Sequence, residues 1–586
     1  MMVPVTGLAW QSAREPPTSV ITVDVATTYQ HILGFGGAFT EAAALQFETL
    51  PVHKQEDVLR LYFDPVHGSA YTFGRVPMGS CDFSVDSYNF DNVRNDTELV
   101  HFDMTVQRDQ YVLLPFIKRA LARQPALKLF LSPWSPPAWM KRSGAEYVAS
   151  MLGSMHPVGL KDEMRASWAL YFSKFITAYK QQGVTFWGLT PQNEPEFAAP
   201  WEACMYNASY QAEFIGTFLG PVLARDHPDM TLLVFDHNRA SVRQWAETIY
   251  SHPTASQYVH GMAFHWYDRE RYMDGVAYHE RLNDTHFVDP SRLLLATESC
   301  NCPGVAQGGE QAWFRALRYG HDILTDLNNH VAGWVDWNLL LDHAGGPNHE
   351  RNQCDAPLVL TQDGTDFVIQ PMYYFIQHFS KYLPPGSRRV KTHVAARFTT
   401  PGDAQLLRAY PAALAMCDGS ARQLLHRTTD DKIQVTGTTF CLSVVDVEWQ
   451  GYEIQMVECT FTSQKWTFED TTGRIRADTF CLSLNHASTE NNVRITARAC
   501  KSSLVAWQQW TFRAHDGTLR SRASETDQCV TAGYAFVQAT AFVTPAERHV
   551  LVVLNENTQG ADFAIHVGDK VVDTTIPDRA IRTYTW

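Results

Sequence analysis

Two glutamates stand in runs suited to acid–base work on a glycosidic bond: Glu194 in Gln192-Asn193-Glu194-Pro195 and Glu298 in Thr297-Glu298-Ser299-Cys300. One carboxyl group of such a pair can protonate a leaving oxygen while the other attacks an anomeric carbon. Sugars also need flat apolar faces to stack on, and Trp134, Trp266, Tyr267 and Trp337 are candidates. Asp82, Asn193 and Asn352 are candidates for bonding hydroxyl groups. The chemistry demands unlike glutamates, because the acid must hold its proton while the nucleophile is ionised, so their neighbours must separate the two pKa values. Taken singly, each run is equally a turn with a solvated acid, and each tryptophan equally a packing residue.

The elements that must bring these residues together are legible as a pattern. Residues 34 to 383 alternate short apolar runs with longer helical patterns, the mark of strands and crossover helices in a parallel sheet. Eight candidate strands close with Gly34-Phe35-Gly36-Gly37, Arg75-Val76-Pro77-Met78, Lys128-Leu129-Phe130-Leu131, Trp187-Gly188-Leu189-Thr190, Leu232-Leu233-Val234-Phe235, Met262-Ala263-Phe264-His265, Leu293-Leu294-Leu295-Ala296 and Gly333-Trp334-Val335-Asp336. From Met164 to Tyr179 a stripe of Trp168, Tyr171, Phe172, Phe175, Ile176 and Tyr179 predicts a helix packed on a barrel. Eight such units match an α/β fold, the (β/α)₈ TIM barrel, whose active site lies at the C-terminal strand ends. Those ends are polar: Gln192, Asn193 and Glu194 follow strand four; Asp236, His237 and Asn238 follow strand five; His265, Trp266 and Tyr267 follow strand six. Glu298 closes strand seven, and Asp336, Trp337 and Asn338 close strand eight. Convergence on one rim makes a site of clusters that would be unremarkable alone.

Composition sets the outer limits. The chain has 586 residues, which implies two or three domains, and its 45% hydrophobic content supports packed cores. A net charge of -14 repels phosphate backbones, so nucleic acid is not an expected partner. No apolar run is long enough for a membrane span, and the first residues lack the basic-then-apolar build of a signal peptide. Eleven cysteines and sequons at Asn95, Asn207 and Asn283 lean toward the secretory pathway, lysosomal or extracellular. The 23 histidines fit an acidic compartment. There is no zinc-protease motif, no Walker loop, no Gly-x-Ser-x-Gly elbow, and Gly34-x-Gly36 lacks the third glycine of a dinucleotide fingerprint. No cofactor and no metal are expected, and Cys300-Asn301-Cys302 reads as a local disulfide or free thiols.

The stretches Gly34 to Ala44, Arg75 to Ser84, Ser132 to Gly144, Phe186 to Pro195, Tyr258 to Tyr267, Thr297 to Cys300 and Gly333 to Pro357 together resemble glycoside hydrolase family 30, in its glucosylceramidase branch. The tail from Val550 to Trp586 resembles the last strands of that family's β-sandwich. The resemblance implies that Glu194 is the acid/base, Glu298 the nucleophile, Arg75 the guanidinium beside it and Tyr267 the group that orients it. It further implies that Asn193 holds the sugar 2-hydroxyl, that His265 lies within reach of both acids, and that Asp82, Trp134, Trp337 and Asn352 form the glycone shell. Ionised Glu298 would then favour the protonated form of Glu194. The sequence departs from the family at Gln192, where human-type enzymes carry an acid, and at His349 and Glu350, so the lipid substrate does not follow automatically. The substrate implied is a β-glucoside or glycosphingolipid met at a membrane surface; an endo-β-1,6-glucanase of the same family is the alternative. A lectin-like protein with an inactive barrel is the rival of another class.

Between about residues 415 and 535 helical periodicity gives way to an internal repeat: Cys441-Leu442-Ser443-Val444 recurs as Cys481-Leu482-Ser483-Leu484, followed by Cys459 and Cys500 and by Gln464-Lys465-Trp466 and Gln508-Gln509-Trp510. A weaker third copy runs from Asp516 through Cys529. The pattern resembles a ricin-type β-trefoil, in which Gln-x-Trp packs each lobe, and implies disulfides Cys441–Cys459 and Cys481–Cys500. Ser443 and Ser483 stand where sugar-binding lobes carry an acid, which favours a structural or interaction role over glycan contact. The expected division is 1–33 for the start of a β-sandwich, 34–383 barrel, 384–414 sandwich, 415–535 trefoil and 536–586 sandwich.

Overall fold

The computed structural model describes the chain except residues 1–7, 13–18, 144–149, 155, 268–278, 307, 397–411, 418–422, 448–450, 461–463, 485–492, 525–527, 533–536 and 557–559. Gly144, at the end of one family-like stretch, residues 397–411 of the expected sandwich segment and Phe536 therefore lie outside the described residues.

Eight parallel strands close into a barrel: β1 (Gly34–Ala38), β2 (Phe73–Pro77), β3 (Lys128–Ser132), β4 (Phe186–Leu189), β5 (Thr231–Asn238), β6 (Gly261–His265), β7 (Leu293–Glu298) and β8 (Gly333–Asn338), with β8 pairing back onto β1. All eight sequence runs are strands of this barrel. Their continuous apolar character follows from burial on both faces. Phe73, Phe130, Leu233, Ala263, Leu295 and Val335 pack together inside. Gly36 is required where β1 meets β2, since a Cβ there would stand 1.8 Å from the carbonyl oxygen of Phe73. The expected amphipathic helix is Arg165–Gln181, and all six residues of its stripe are buried.

Strand β5 runs three residues beyond its apolar core, through Asp236, His237 and Asn238. Its pairing with β6 slips between Phe235 and His237. Phe235 and Asp236 take the left-handed region, at φ 79° and 63°. A bulge of this kind re-aims side chains that strict alternation would send to opposite faces.

Residues 30–268 and 281–388 form one compact unit, and 1–29 and 389–586 belong to another. In the second, an eight-stranded sheet runs in the order Gln11–Ser12, Lys570–Ile576, Ala561–Val567, Ser19–His31, Arg388–Ala396, Val537–Val543, His549–Asn555, Ala580–Thr585. The strand before the repeat region and the strand after it are thus neighbours in one sheet, so the repeats are inserted between adjacent strands. The trefoil sheet starts at Ala413–Met416, ahead of residue 415, because this strand pairs with Gln528–Thr531 near the module's end. Trp466 and Trp510 are buried in the module's core and donate their indole N–H to the carbonyls of Leu442 and Leu482, at 2.9 and 2.8 Å. Disulfides join Cys441 to Cys459 and Cys481 to Cys500, and a third, Cys417–Cys529, ties the first strand to the last.

Candidate active site

The C-terminal rim of the barrel is organised around a charge that cannot stay unpaired. Asp236 is fully buried, and a buried carboxylate is tolerated only when ion-paired and hydrogen-bonded. It accepts from Arg75 Nη2 at 2.7 Å, from the hydroxyls of Thr190 and Thr297 at 2.6 Å each, and pairs with His265 Nε2 at 3.1 Å. Burial works to raise its carboxyl, but the Arg75 charge and the bond to His265 hold it below the usual carboxylate range. Asp236 stood in the polar run after strand five without an assigned role. Its signal was a lone acid directly after the apolar run Leu232 to Phe235 of a closed barrel.

Arg75 links Asp236 to Glu298 and Asn193. Its Nη1 donates to Glu298 Oε2, its Nη2 reaches Asn193 Oδ1 at 2.9 Å, and its Nε reaches Ser132 Oγ at 3.1 Å. The guanidinium also lies 4.8 Å from the Trp134 ring and 5.5 Å from Trp337. Those two rings stack on each other at 5.1 Å. Glu298 takes its second donor on the other oxygen, from the Tyr267 hydroxyl at 2.9 Å, and that hydroxyl also touches Cys300 Sγ at 3.3 Å.

Glu194 stands on a left-handed residue, φ 45°, pinned by its N–H to the Asp236 carbonyl at 3.0 Å. Such backbone costs a side-chain-bearing residue on the order of 1–3 kcal/mol and persists where surrounding contacts enforce it. Two imidazoles face its Oε1: His265 Nδ1 at 3.5 Å and His237 Nδ1 at 3.7 Å. The same His265 nitrogen lies 3.9 Å from Glu298 Oε1, so one ring atom reaches both acids.

The electrostatics differ from the expectation that ionised Glu298 keeps Glu194 protonated. Burial works to raise the Glu194 carboxyl, but hydrogen bonds and charge from His237 and His265 bring it below its ordinary value. Burial pushes Glu298 up, against the charges of His265 and Arg75. His265 is drawn up to about 9: burial opposes its charge, and Glu298, Asp236 and Glu194 outweigh that. His265 Nε2 is committed to Asp236, so Nδ1 is the ring atom that faces Glu194.

Around this centre, Asn352 donates to Asp82 Oδ2 at 2.8 Å, and burial with the charge of Glu298 pushes Asp82 up to about 8. Asp82 is therefore a hydroxyl-bearing donor at acidic pH. Gln192 is buried and donates to the carbonyls of Trp134 at 2.7 Å and Asn193 at 2.9 Å. His349 bonds the Ser84 carbonyl at 2.8 Å and pairs with Glu202 at 3.4 Å, and it is drawn up to about 9 chiefly by its bond to that carboxylate. Glu350 lies 3.7 Å from the same imidazole nitrogen. Lys141, pulled down to about 8 by burial, ties the carbonyls of Met151, Gly153 and Ala203 together at 2.6–2.9 Å.

One expectation needs correction, and one that was open between a local disulfide and free thiols is decided. Trp266 is not a sugar platform: its ring packs edge-on against Tyr319 and Trp334, under Arg318, and its N–H donates to the Cys300 carbonyl at 3.0 Å. It faces the barrel's outer packing because successive residues after β6 point to opposite sides, and Tyr267 takes the inward one. Nor do Cys300 and Cys302 pair with each other. Cys302 joins Cys354, linking the loops after β7 and β8, and Cys300 keeps its thiol. A neighbour two residues along a strand end is less well placed for a disulfide than a cysteine on the facing loop.

A parallel barrel with two glutamates on its C-terminal rim, the buried Glu298 held by a guanidinium and a phenol and the partly buried Glu194 faced by imidazoles, has the arrangement of a glycoside hydrolase site. The chain belongs to glycosyl hydrolase family 30: residues 32–383 match the model of its TIM-barrel domain and residues 525–584 that of its beta sandwich domain, while residues 400–503 match the ricin-type beta-trefoil lectin domain. Over 445 residues it is 37% identical to "Putative glucosylceramidase 3" of Caenorhabditis elegans, covering 74% of this chain and 81% of that one. It is 35% identical over 454 residues to "Lysosomal acid glucosylceramidase" of Mus musculus, covering 76% and 84%. To "Endo-1,6-beta-D-glucanase neg1" of Aspergillus fumigatus it is 28% identical over 425 residues, covering 70% and 81%. The protein is a glycoside hydrolase.

Proposed function

We propose that the enzyme removes terminal β-glucose with net retention, acting on glucosylceramide-type glycolipids in the secretory pathway or lysosome. Glu298 would be the nucleophile and Glu194 the acid/base. The observation that carries this is the unlike surroundings of the two acids. Each oxygen of Glu298 accepts from a fixed donor, Arg75 on one and Tyr267 on the other, which orients a carboxylate for attack. Glu194 instead faces two imidazole nitrogens, Nδ1 of His237 and Nδ1 of His265. In the first step Glu298 bonds the anomeric carbon as Glu194 passes a proton to the leaving oxygen. In the second, Glu194 takes a proton from the water that splits the glycosyl ester.

Terminal glucose is supported by the Asp82–Asn352 pair and the Trp134–Trp337 stack, which could bond and cover a single glycone. The identity to glucosylceramidases, higher than to the Aspergillus enzyme, supports the lipid substrate. That enzyme supports an endo-β-1,6-glucanase as the second reading. For the trefoil we favour a stabilising or targeting role over glycan contact. Ser483 Oγ is buried and accepts from Gln508 at 3.0 Å, and Ser443 Oγ accepts from the Gln464 N–H at 3.3 Å, so both serve the interior. No described helix is long and apolar enough to cross a membrane.

The test is a panel of aryl β-glucosides, glucosylceramide and β-1,6-glucan, with product anomers followed by NMR. Glu298→Gln should abolish turnover on all of them. Glu194→Gln should spare the first step on dinitrophenyl glucoside, and azide should restore the second and yield the β-glucosyl azide. An α-configured first product would refute the roles, and release of only long oligosaccharides would favour the glucanase.

A further inference from the structure

Asp82 sits in a tight turn of the loop after β2. The Ser84 N–H donates to the Cys81 carbonyl at 3.0 Å, and the Ser84 hydroxyl oxygen accepts from the Cys81 N–H at 3.1 Å. Its partner Asn352 ends a second closed turn, in the loop after β8. There Asn348 Oδ1 accepts from the N–H groups of Glu350 and Asn352 at 2.8 and 3.2 Å, and Asn348 Nδ2 donates to the Asn352 carbonyl at 3.2 Å. The two side chains are 270 residues apart in the chain, and one bond between them does not fix two loops in register, because each keeps rotamer freedom.

Two residues outside the glycone shell tie these turns down. His349, within the second turn, reaches across to the first: its Nδ1 bonds the Ser84 carbonyl at 2.8 Å, and its backbone N–H donates to the same oxygen at 3.2 Å. Glu202, from the loop after β4, is buried, and its Oε1 accepts from the hydroxyls of Ser80 at 2.8 Å and Ser87 at 2.7 Å, one before and one after the Asp82 turn. Its other oxygen faces His349 Nε2 at 3.4 Å. Both nitrogens of that ring therefore face oxygens, a setting that suits the doubly protonated imidazole and places its charge beside a carboxylate that burial would otherwise make costly. Glu202 is held from behind as well. The N–H of Ala203 donates to the Met151 carbonyl at 3.1 Å, the Gly153 N–H donates to the Trp201 carbonyl at 2.8 Å, and Lys141 donates to the Ala203 carbonyl at 2.6 Å.

We infer that Glu202 and His349 are positioning residues for glycone binding: by gripping the loop after β2 at Ser80, Ser84 and Ser87, they hold Asp82 where it meets Asn352. This rests on the reading of Asp82 and Asn352 as glycone contacts. The grip acts through those two side chains, which would hold the sugar alike before and during bond cleavage. Loosening it therefore weakens substrate and transition state together, which raises KM and leaves kcat in place. Its effect also depends on Asp82 being there to position, so it vanishes when the Asp82 carboxyl is removed.

The experiment is a double-mutant cycle on kcat and KM for 4-nitrophenyl β-glucoside. It uses the full chain with His349→Phe, Glu202→Ala and Asp82→Ala singly, and with each of the first two combined with Asp82→Ala. His349→Phe keeps a ring in place and loses both nitrogens. His349→Phe and Glu202→Ala should each raise KM roughly tenfold, with kcat within about twofold of wild type. In the Asp82→Ala background neither should raise KM by more than about twofold. Effects that multiply in full with that of Asp82→Ala, or a fall in kcat at unchanged KM, overturn the inference. If Glu202→Ala does not fold, His349→Phe, at a half-buried position, decides. Asp82→Ala alone separates the failures. If it leaves KM unchanged, the glycone reading falls and takes the inference with it; if it raises KM while His349→Phe does not, the inference alone falls.

Discussion

His265 should be a measurable source of pH-dependent stability. Burial opposes its charge, yet Glu298, Asp236 and Glu194 draw the imidazole from its ordinary 6.5 up to about 9. A group with a raised folded pKa contributes stability that is fully present below the unfolded value and is lost as pH rises through the folded one. The window is therefore pH 6.5 to about 9. The difference amounts to about 3 kcal/mol, since each decade is worth about 1.4 kcal/mol. For the barrel, residues 32–383, the melting entropy per residue turns that into about 4 °C in Tm. The perturbation is His265→Gln, which keeps an N–H for Asp236 and cannot carry charge. Scanning calorimetry of wild type and variant across pH 5–9.5 should show a Tm gap of about 4 °C at the acid end that closes by pH 9.5. An equal gap at both ends would mean that His265 stabilises through packing, and the charge argument would be wrong.

Three more outcomes follow from the contacts around the site. Asp82→Asn should leave KM nearly unchanged below pH 7, because an amide resembles the protonated acid that burial enforces at about 8, whereas Asp82→Ala should raise KM roughly tenfold or more through a lost hydroxyl contact. Cys354→Ser opens the 52-residue loop to Cys302 and should cost roughly 3–4 kcal/mol by denaturant unfolding, with a higher KM because Asn352 sits on the released loop. Trp510→Phe removes the bond to the buried Leu482 carbonyl and should destabilise the trefoil by about 2–3 kcal/mol while leaving kcat on soluble glucosides unchanged; a fall in kcat would mean the module acts on the chemistry.

What the sequence determined by itself is local and periodic. The eight barrel strands appear as apolar runs because a strand buried on both faces has no polar positions to alternate. The stripe from Trp168 to Tyr179 announces its helix for the same reason, burial of one side. Glu194 and Glu298 were legible as strand-end acids, and their partners Arg75, Tyr267, Asp82 and Asn352 through the family resemblance. The repeat spacing of cysteines and Gln-x-Trp located two of the trefoil's disulfides. Tertiary structure alone decided which groups face each other. Barrel closure brings Asp236 on β5 against Arg75 on β2, and a bulge that no composition shows turns His237 toward Glu194 and Glu196. It also set Trp266 into packing and Tyr267 into the site, and joined Cys302 to Cys354 across 52 residues. Side-chain pattern fixes which face of an element is buried; contacts between distant elements depend on the register and closure of the whole barrel, which no local window of sequence contains.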